Sequence, residues 1–267
     1  MSWVIDMSAI RRGYIDTRIG QIHYREAGNS DLPSLVMFHQ VPSTSAMYEV
    51  LMERLANQFH IIAPDMPGFG GSDALNEAVT IKAYADILHE ALLALGIHQC
   101  LVFGHHTGAS VAVQLEYDFP GFASKIALSG PTLLDQALKD LLPKKSFAFP
   151  VEDNGSHLML MWERVRAKDP DATLALSQRE TLTGIALGDT YPDAYKAVID
   201  QDYATQLASV KCPVLAFAGT EDPLLGQLDN ALALVENGEK AIIEGARTYV
   251  CERNADEVSA LLTNFFK

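Results

Sequence analysis

Short apolar runs of four to seven residues alternate along the chain with longer stretches whose apolar positions recur every three or four residues. The runs Ser34–Phe38, His60–Ala63, Cys100–Phe103, Lys125–Leu128, Pro213–Phe217 and Lys240–Ile243 are too short for helices and too continuously apolar for one-sided strands. They predict parallel strands buried on both faces. Two earlier segments, Gly13–Arg18 and Gln21–Glu26, predict a hairpin turning at Ile19 and Gly20. Between the runs, Ile81–Leu95 places Tyr84, Ile87, Leu88, Ala91 and Leu95 on one helical face, with Gly96 to stop it. Gly108–Phe119 predicts a second helix, ended by Pro120 and Gly121. Asn254 is expected to cap a last one that runs to Phe266.

The alternation fails once. From Pro131 to Val210 no strand is expected, but helical patterns fill His157–Lys168, Ala172–Leu187 and Asp193–Ile199. The expected architecture is therefore α/β: a mainly parallel central sheet flanked by helices, with a helical cap inserted between two strands. Residues 1–130 and 211–267 would form the core and 131–210 the cap, lying over the carboxyl ends of the strands where open sheets bind ligands.

Composition changes this picture little. The 267 residues suit one domain, and a formal net charge of −14 disfavours nucleic acid and anionic membranes as partners. No apolar run reaches the ~18 residues of a membrane span. Met1–Arg12 lacks the pattern of a signal peptide, so the cytoplasm is the expected location. Cys100, Cys212 and Cys251 have no metal-type spacing and read as packed thiols. No dinucleotide fingerprint is present, because Gly68–Gly71 does not open a helix after a strand, and no cofactor is expected. A small-molecule substrate or ligand is the expected partner, with a homodimer left open.

The candidate chemistry lies at strand ends. His39–Pro42 and Pro64–Asp73 each follow a strand, Gly104–Gly108 (Gly-His-His-Thr-Gly) joins a strand to a helix, and Gly219–Asp222 follows a late strand. Together and in this order they resemble the α/β-hydrolase family with a helical cap, over the chain from about Gly13 to its end. The resemblance implies a nucleophile elbow at Gly104–Gly108, where the family carries a central serine and this chain carries His106. It implies an acid at Asp222. The family's catalytic histidine would fall in Glu244–Cys251, where Thr248 stands instead, and no histidine follows His157. The usual Ser-His-Asp triad is thus excluded.

In its place the residues suggest a His106–Asp222 dyad: an imidazole is larger than a serine side chain and Thr248 smaller than a histidine, so the ring has room to reach the carboxylate. Histidine titrates near neutral pH and can serve as a general base or attack an acyl group itself. The resemblance assigns an oxyanion hole to the amides of Thr107 and Val41. Gln40, in place of a glycine, would alter that loop or add a donor. His39, His157, Trp162, Arg247 and Thr248 complete the pocket candidates, and Met159, Met161 and Trp162 are expected to seal the cap against the sheet. His39, His106 and His157 match no local metal motif, so no metal is expected. Three readings stay open: a hydrolase of a small apolar carbonyl compound with an ester-like or C–C bond, a base-catalysed lyase, decarboxylase or isomerase, and a ligand-binding protein without chemistry.

Overall fold

The computed structural model describes residues 9–267; most of the Met1–Arg12 stretch lies outside the described residues. Strands β1 (Arg11–Thr17) and β2 (Gly20–Ala27) pair as the expected antiparallel hairpin. β3 (Ser34–Phe38), α1 (Glu49–Leu55) and β4 (His60–Pro64) follow, then α2 (Ile81–Ala94), β5 (Cys100–His105), α3 (Thr107–Asp118) and β6 (Ala123–Ser129). Five helices come next with no strand among them: α4 (Gln136–Lys145), α5 (Ser156–Lys168), α6 (Leu174–Ala186), α7 (Asp193–Asp200) and α8 (Tyr203–Ser209). The chain ends with β7 (Val214–Gly219), α9 (Leu228–Leu232), β8 (Gly238–Ile243), α10 (Val250–Arg253) and α11 (Ala255–Phe266).

The strands form one eight-stranded sheet in the order β1-β2-β4-β3-β5-β6-β7-β8, with every pairing from β4 onward parallel. Side-chain alternation explains why the central strands read as continuous apolar runs. Val36, Phe38, Ile62 and Val102 pack with α2 and α3 on one face. Leu35, Met37, Ile61 and Phe103 pack with α1 and α11 on the other. α2 buries the predicted Tyr84, Ile87, Leu88 and Ala91, is capped by Thr80 accepting from Ala83 N–H, and ends before Gly96 at φ +80°.

Two side-chain expectations fail, and one helix went unpredicted. Asn254 precedes α11 but makes no capping bond; its φ of −118° and ψ of 35° are not the extended backbone of a capping residue, and its side-chain amide donates to Glu257. Met159 is exposed, although Met161 is buried against Val165 and Tyr191. Helix α8 had no visible pattern because it buries Tyr203, Gln206 and Leu207, too few apolar residues to show a period.

Candidate active site

Residues 104–108 form the tight link from β5 to α3. Among the described residues His106 is the one non-glycine with positive φ, at φ +48° and ψ −112°. Such a backbone costs roughly 1–3 kcal/mol and persists only where its surroundings enforce it. Here they do. His106 N–H donates to Ser129 O at 2.8 Å, pinning the turn to β6. A Cβ on Gly104 would lie 2.7 Å from Ala109 N, and one on Gly108 2.5 Å from the Phe38 carbonyl carbon, so the helix can approach the strands only with glycine at both positions.

The turn aims the imidazole at Asp222, which follows β7, and His106 Nε2 stands 2.8 Å from Asp222 Oδ2. The second carboxylate oxygen accepts from Leu224 N–H at 2.8 Å. Burial alone would push the Asp222 carboxyl up, but the charge and hydrogen bond of His106 outweigh it and hold the group below the usual carboxylate range. An ionised carboxylate can only accept, so the proton between the two groups belongs to Nε2 of His106. In the neutral ring the lone pair then lies on Nδ1, which has no hydrogen-bond partner among the described residues.

Two neighbours fix that ring. His105 stacks on it with centroids 4.2 Å apart. His105 is fully buried, donates from Nε2 to Thr248 O at 2.9 Å and accepts at Nδ1 from the Ser129 hydroxyl at 2.9 Å. Burial, reinforced by His106, pushes its pKa down to about 3, so it is a neutral spacer. Gly130, just after β6 at φ +61°, leaves the other space: a Cβ there would lie 2.6 Å from His106 Nε2.

His106, Thr107, Val41, Gln40 and Thr248 all line one cavity of about 630 Å³. Thr107 N–H is the first of α3, where the helix supplies no acceptor. Gln40 is buried and its side chain makes no hydrogen bond among the described residues. Leu134, Leu138, Leu142, Phe147, Val198 and Leu224 make much of the wall apolar.

Four predicted pocket residues lie elsewhere. His39 is fully buried under the loop, donating from Nδ1 to Gln40 O and accepting at Nε2 from Met66 N–H, both at 2.8 Å. It holds the loop rather than lining the cavity. His157, at the start of α5, accepts from Glu152 N–H at 3.1 Å outside the cavity. Trp162 is out of phase: α5 turns Leu160, Glu163, Arg164 and Ala167 to the cavity, and 100° per residue carries position 162 away from that stripe. Arg247 pairs with Glu221 at 2.5 Å. Cys251 is fully buried and its thiol is pushed up by burial, so it is no nucleophile. His39 and His157 do not join His106 at the cavity. Among the described residues no three His, Cys, Asp or Glu side chains converge as metal ligands would.

Sequence reasoning missed Gly130, Tyr195, whose hydroxyl donates to Val41 O at 3.2 Å, and the cations Lys144, Lys145, Arg164 and Lys168 on the cavity wall. A glycine two residues beyond the predicted strand Lys125–Leu128 was the one available signal for Gly130.

Residues 33–246 match the family model described as alpha/beta hydrolase fold. An uncharacterized hydrolase of Saccharomyces cerevisiae is 31% identical over 121 residues, 45% of this chain and 42% of the yeast protein. The (E)-2-((N-methylformamido)methylene)succinate hydrolase of Acinetobacter baylyi is 23% identical over 75% of this chain and 76% of its own length. Several curated relatives match along less than half of their length, as in the 32% of mouse epoxide hydrolase 3. Among solved structures, a putative lipase from Acinetobacter baumannii superposes with a TM-score of 0.84 at 16% identity, over 98% of this chain and 92% of the lipase. Cfl2 of Burkholderia cenocepacia gives the same score at 20% identity, over 98% of both chains.

Proposed function

Given that this chain belongs to the α/β-hydrolase family, we propose that it hydrolyses a small, largely apolar carbonyl compound with a His106–Asp222 pair instead of Ser-His-Asp. The observation that carries the reading is the 2.8 Å contact of His106 Nε2 with Asp222, at a strained turn facing the cavity. A ligand-binding protein without chemistry has no use for a backbone strained to bring these two groups together. Relatives named as hydrolases, among them the succinate-derivative enzyme and the epoxide hydrolase, agree with the reaction class.

In the proposed reaction His106 Nδ1 takes a proton from water as the water oxygen attacks the carbonyl carbon. Asp222 stabilises the resulting imidazolium. The amides of Thr107 and Val41 receive the oxyanion, a role typically worth ~10²–10³ in rate per donor. Collapse of the tetrahedral adduct breaks the bond to the leaving group, which takes the proton from the imidazolium. The helical segment α4–α8 acts as a cap that keeps bulk water from the adduct.

A second reading uses the same lone pair to remove a proton beside a carbonyl, as a lyase, decarboxylase or isomerase. The apolar cavity wall favours it wherever the substrate displaces the water.

A chromogenic panel of short-chain esters, run on wild type and His106→Ala, tests the first reading. Turnover by wild type that disappears in the variant supports it. Equal turnover by both proteins removes His106 from the chemistry, and none in either removes hydrolysis of simple esters.

A further inference from the structure

The wall of the cavity away from His106 is cationic. α4 contributes Lys144 and Lys145 from its last turn, and α5 contributes Arg164 and Lys168. This is a protein of net charge −14, in which Arg25, Arg179, Arg247, Arg253 and most other cations rest against carboxylates. The four cavity cations have no carboxylate partner among the described residues. Arg164 is half-buried and held by the Tyr191 hydroxyl at 2.9 Å and by the faces of Phe147 and Tyr191, none of which neutralises it.

Helix dipoles explain part of this, since cations are favoured in the last turn of a helix. They do not explain why two helix ends meet at one cavity with more charge than they need. Each end carries roughly half a negative charge, and Glu163 is the one acidic residue on the wall. About two positive charges are left over beside an apolar chamber. Arg164 and Lys168 are half-buried, where a charge without a counterion is costly, and the exposed Lys144 and Lys145 border the same cavity; an anionic ligand would supply the missing countercharge.

We infer that the substrate is amphipathic: an apolar body reaches His106, and a compact anionic group, carboxylate or phosphate, is held among Lys144, Lys145, Arg164 and Lys168. This refines the proposed function and rests on it for the word substrate, but the anion preference is a property of the cavity and is read by binding alone.

The test is calorimetric titration of the intact protein with decanoate, decyl phosphate and decanol at low and moderate salt, below their micellar concentrations. Wild type is expected to bind at least one of the anions about tenfold or more tightly than decanol, with the gap narrowing as salt rises. Lys144→Ala/Lys145→Ala/Lys168→Ala, three changes at exposed or half-exposed side chains, should lose roughly that tenfold for the anion and nothing for decanol. The tighter of decanoate and decyl phosphate identifies the head group. Decanol binding as tightly as both anions, or anion affinity unchanged in the triple variant, overturns the inference. Failure of ester hydrolysis with the anion preference intact would count against the proposed reaction and not against the cationic wall.

Discussion

Gly130 and His106 occupy one space between them. The glycine sits at φ +61° directly after β6, and the position its side chain would take lies 2.6 Å from the imidazole nitrogen that bonds Asp222. The ring can stand against the carboxylate only because residue 130 has no Cβ.

Gly130→Ala should therefore strike geometry first. The methyl group must push the imidazole off Asp222 or shift the end of β6, and the positive φ adds strain of its own. A loss of roughly 1–3 kcal/mol in stability is expected, with a far larger proportional loss of activity. Chemical denaturation beside kcat/KM on whichever substrate wild type turns over would show it. Full activity in the alanine variant would mean that the His106–Asp222 contact is dispensable.

Asp222→Asn keeps the shape and reverses the hydrogen bond. The amide would donate to Nε2, move the ring proton to Nδ1 and point the lone pair away from the free side of the ring. Activity should fall by roughly 10⁴, the scale seen when a catalytic histidine is held in the wrong tautomer, while Leu224 N–H keeps its acceptor. Single-turnover rates measure this, and a loss smaller than tenfold would contradict it.

The buried neutral His105 makes stability depend on pH. Its folded pKa is lowered by burial to about 3, whereas an unfolded histidine binds its proton near ~6.5. Between those values the unfolded chain holds a proton the folded one lacks, so stability rises with pH and is lost as pH falls, by about 1.4 kcal/mol per unit for this group. His39, lowered by burial in the same direction, adds to the slope. In urea titrations between pH 7 and 4.5, His105→Asn should be less stable at pH 7 but lose stability more slowly as pH falls. Parallel curves for the two proteins would mean that His105 takes up no fewer protons folded than unfolded.

The cysteines should rank by exposure. Burial pushes all three thiols up, Cys212 to about 12, but Cys212 is only half-buried while Cys100 and Cys251 are buried. With a small alkylating reagent and mass mapping of the native protein, Cys212 should react first and slowly, Cys251 only on unfolding. Fast labelling of Cys251 would reopen its exclusion as a nucleophile.

The sheet was legible because each central strand is buried on both faces and so writes an unbroken apolar run, as Leu35 to Phe38 do. His106 was legible because a strand-to-helix turn demands glycines at fixed offsets and Gly104 and Gly108 mark the residue between them, whereas Asp222 was legible only through the resemblance to the α/β-hydrolase family. Trp162 misled because composition gives size and polarity but not helical phase, which only the packing of Met161 and Val165 sets. His39 misled because a histidine with both nitrogens satisfied by main chain is indistinguishable, letter by letter, from one facing a cavity. The cationic wall was hidden in turn: Lys144 and Lys168 come from different helices, and their convergence exists only after folding.

The helical segment is fastened unevenly. On α6, Arg179 forks onto Glu252 of α10, and Glu180 accepts from Ser43 beside the cavity loop. On α7, Tyr195 reaches Val41, and in α8 Gln206 reaches Gln114 of α3. Helix α4 buries none of its residues, yet it supplies Leu138, Leu141 and Leu142 to the chamber wall. Opening that leaves the ion pairs intact costs least along that edge. Of the helices that enclose the chamber, α4 is thus the one that walls it without burying a side chain of its own.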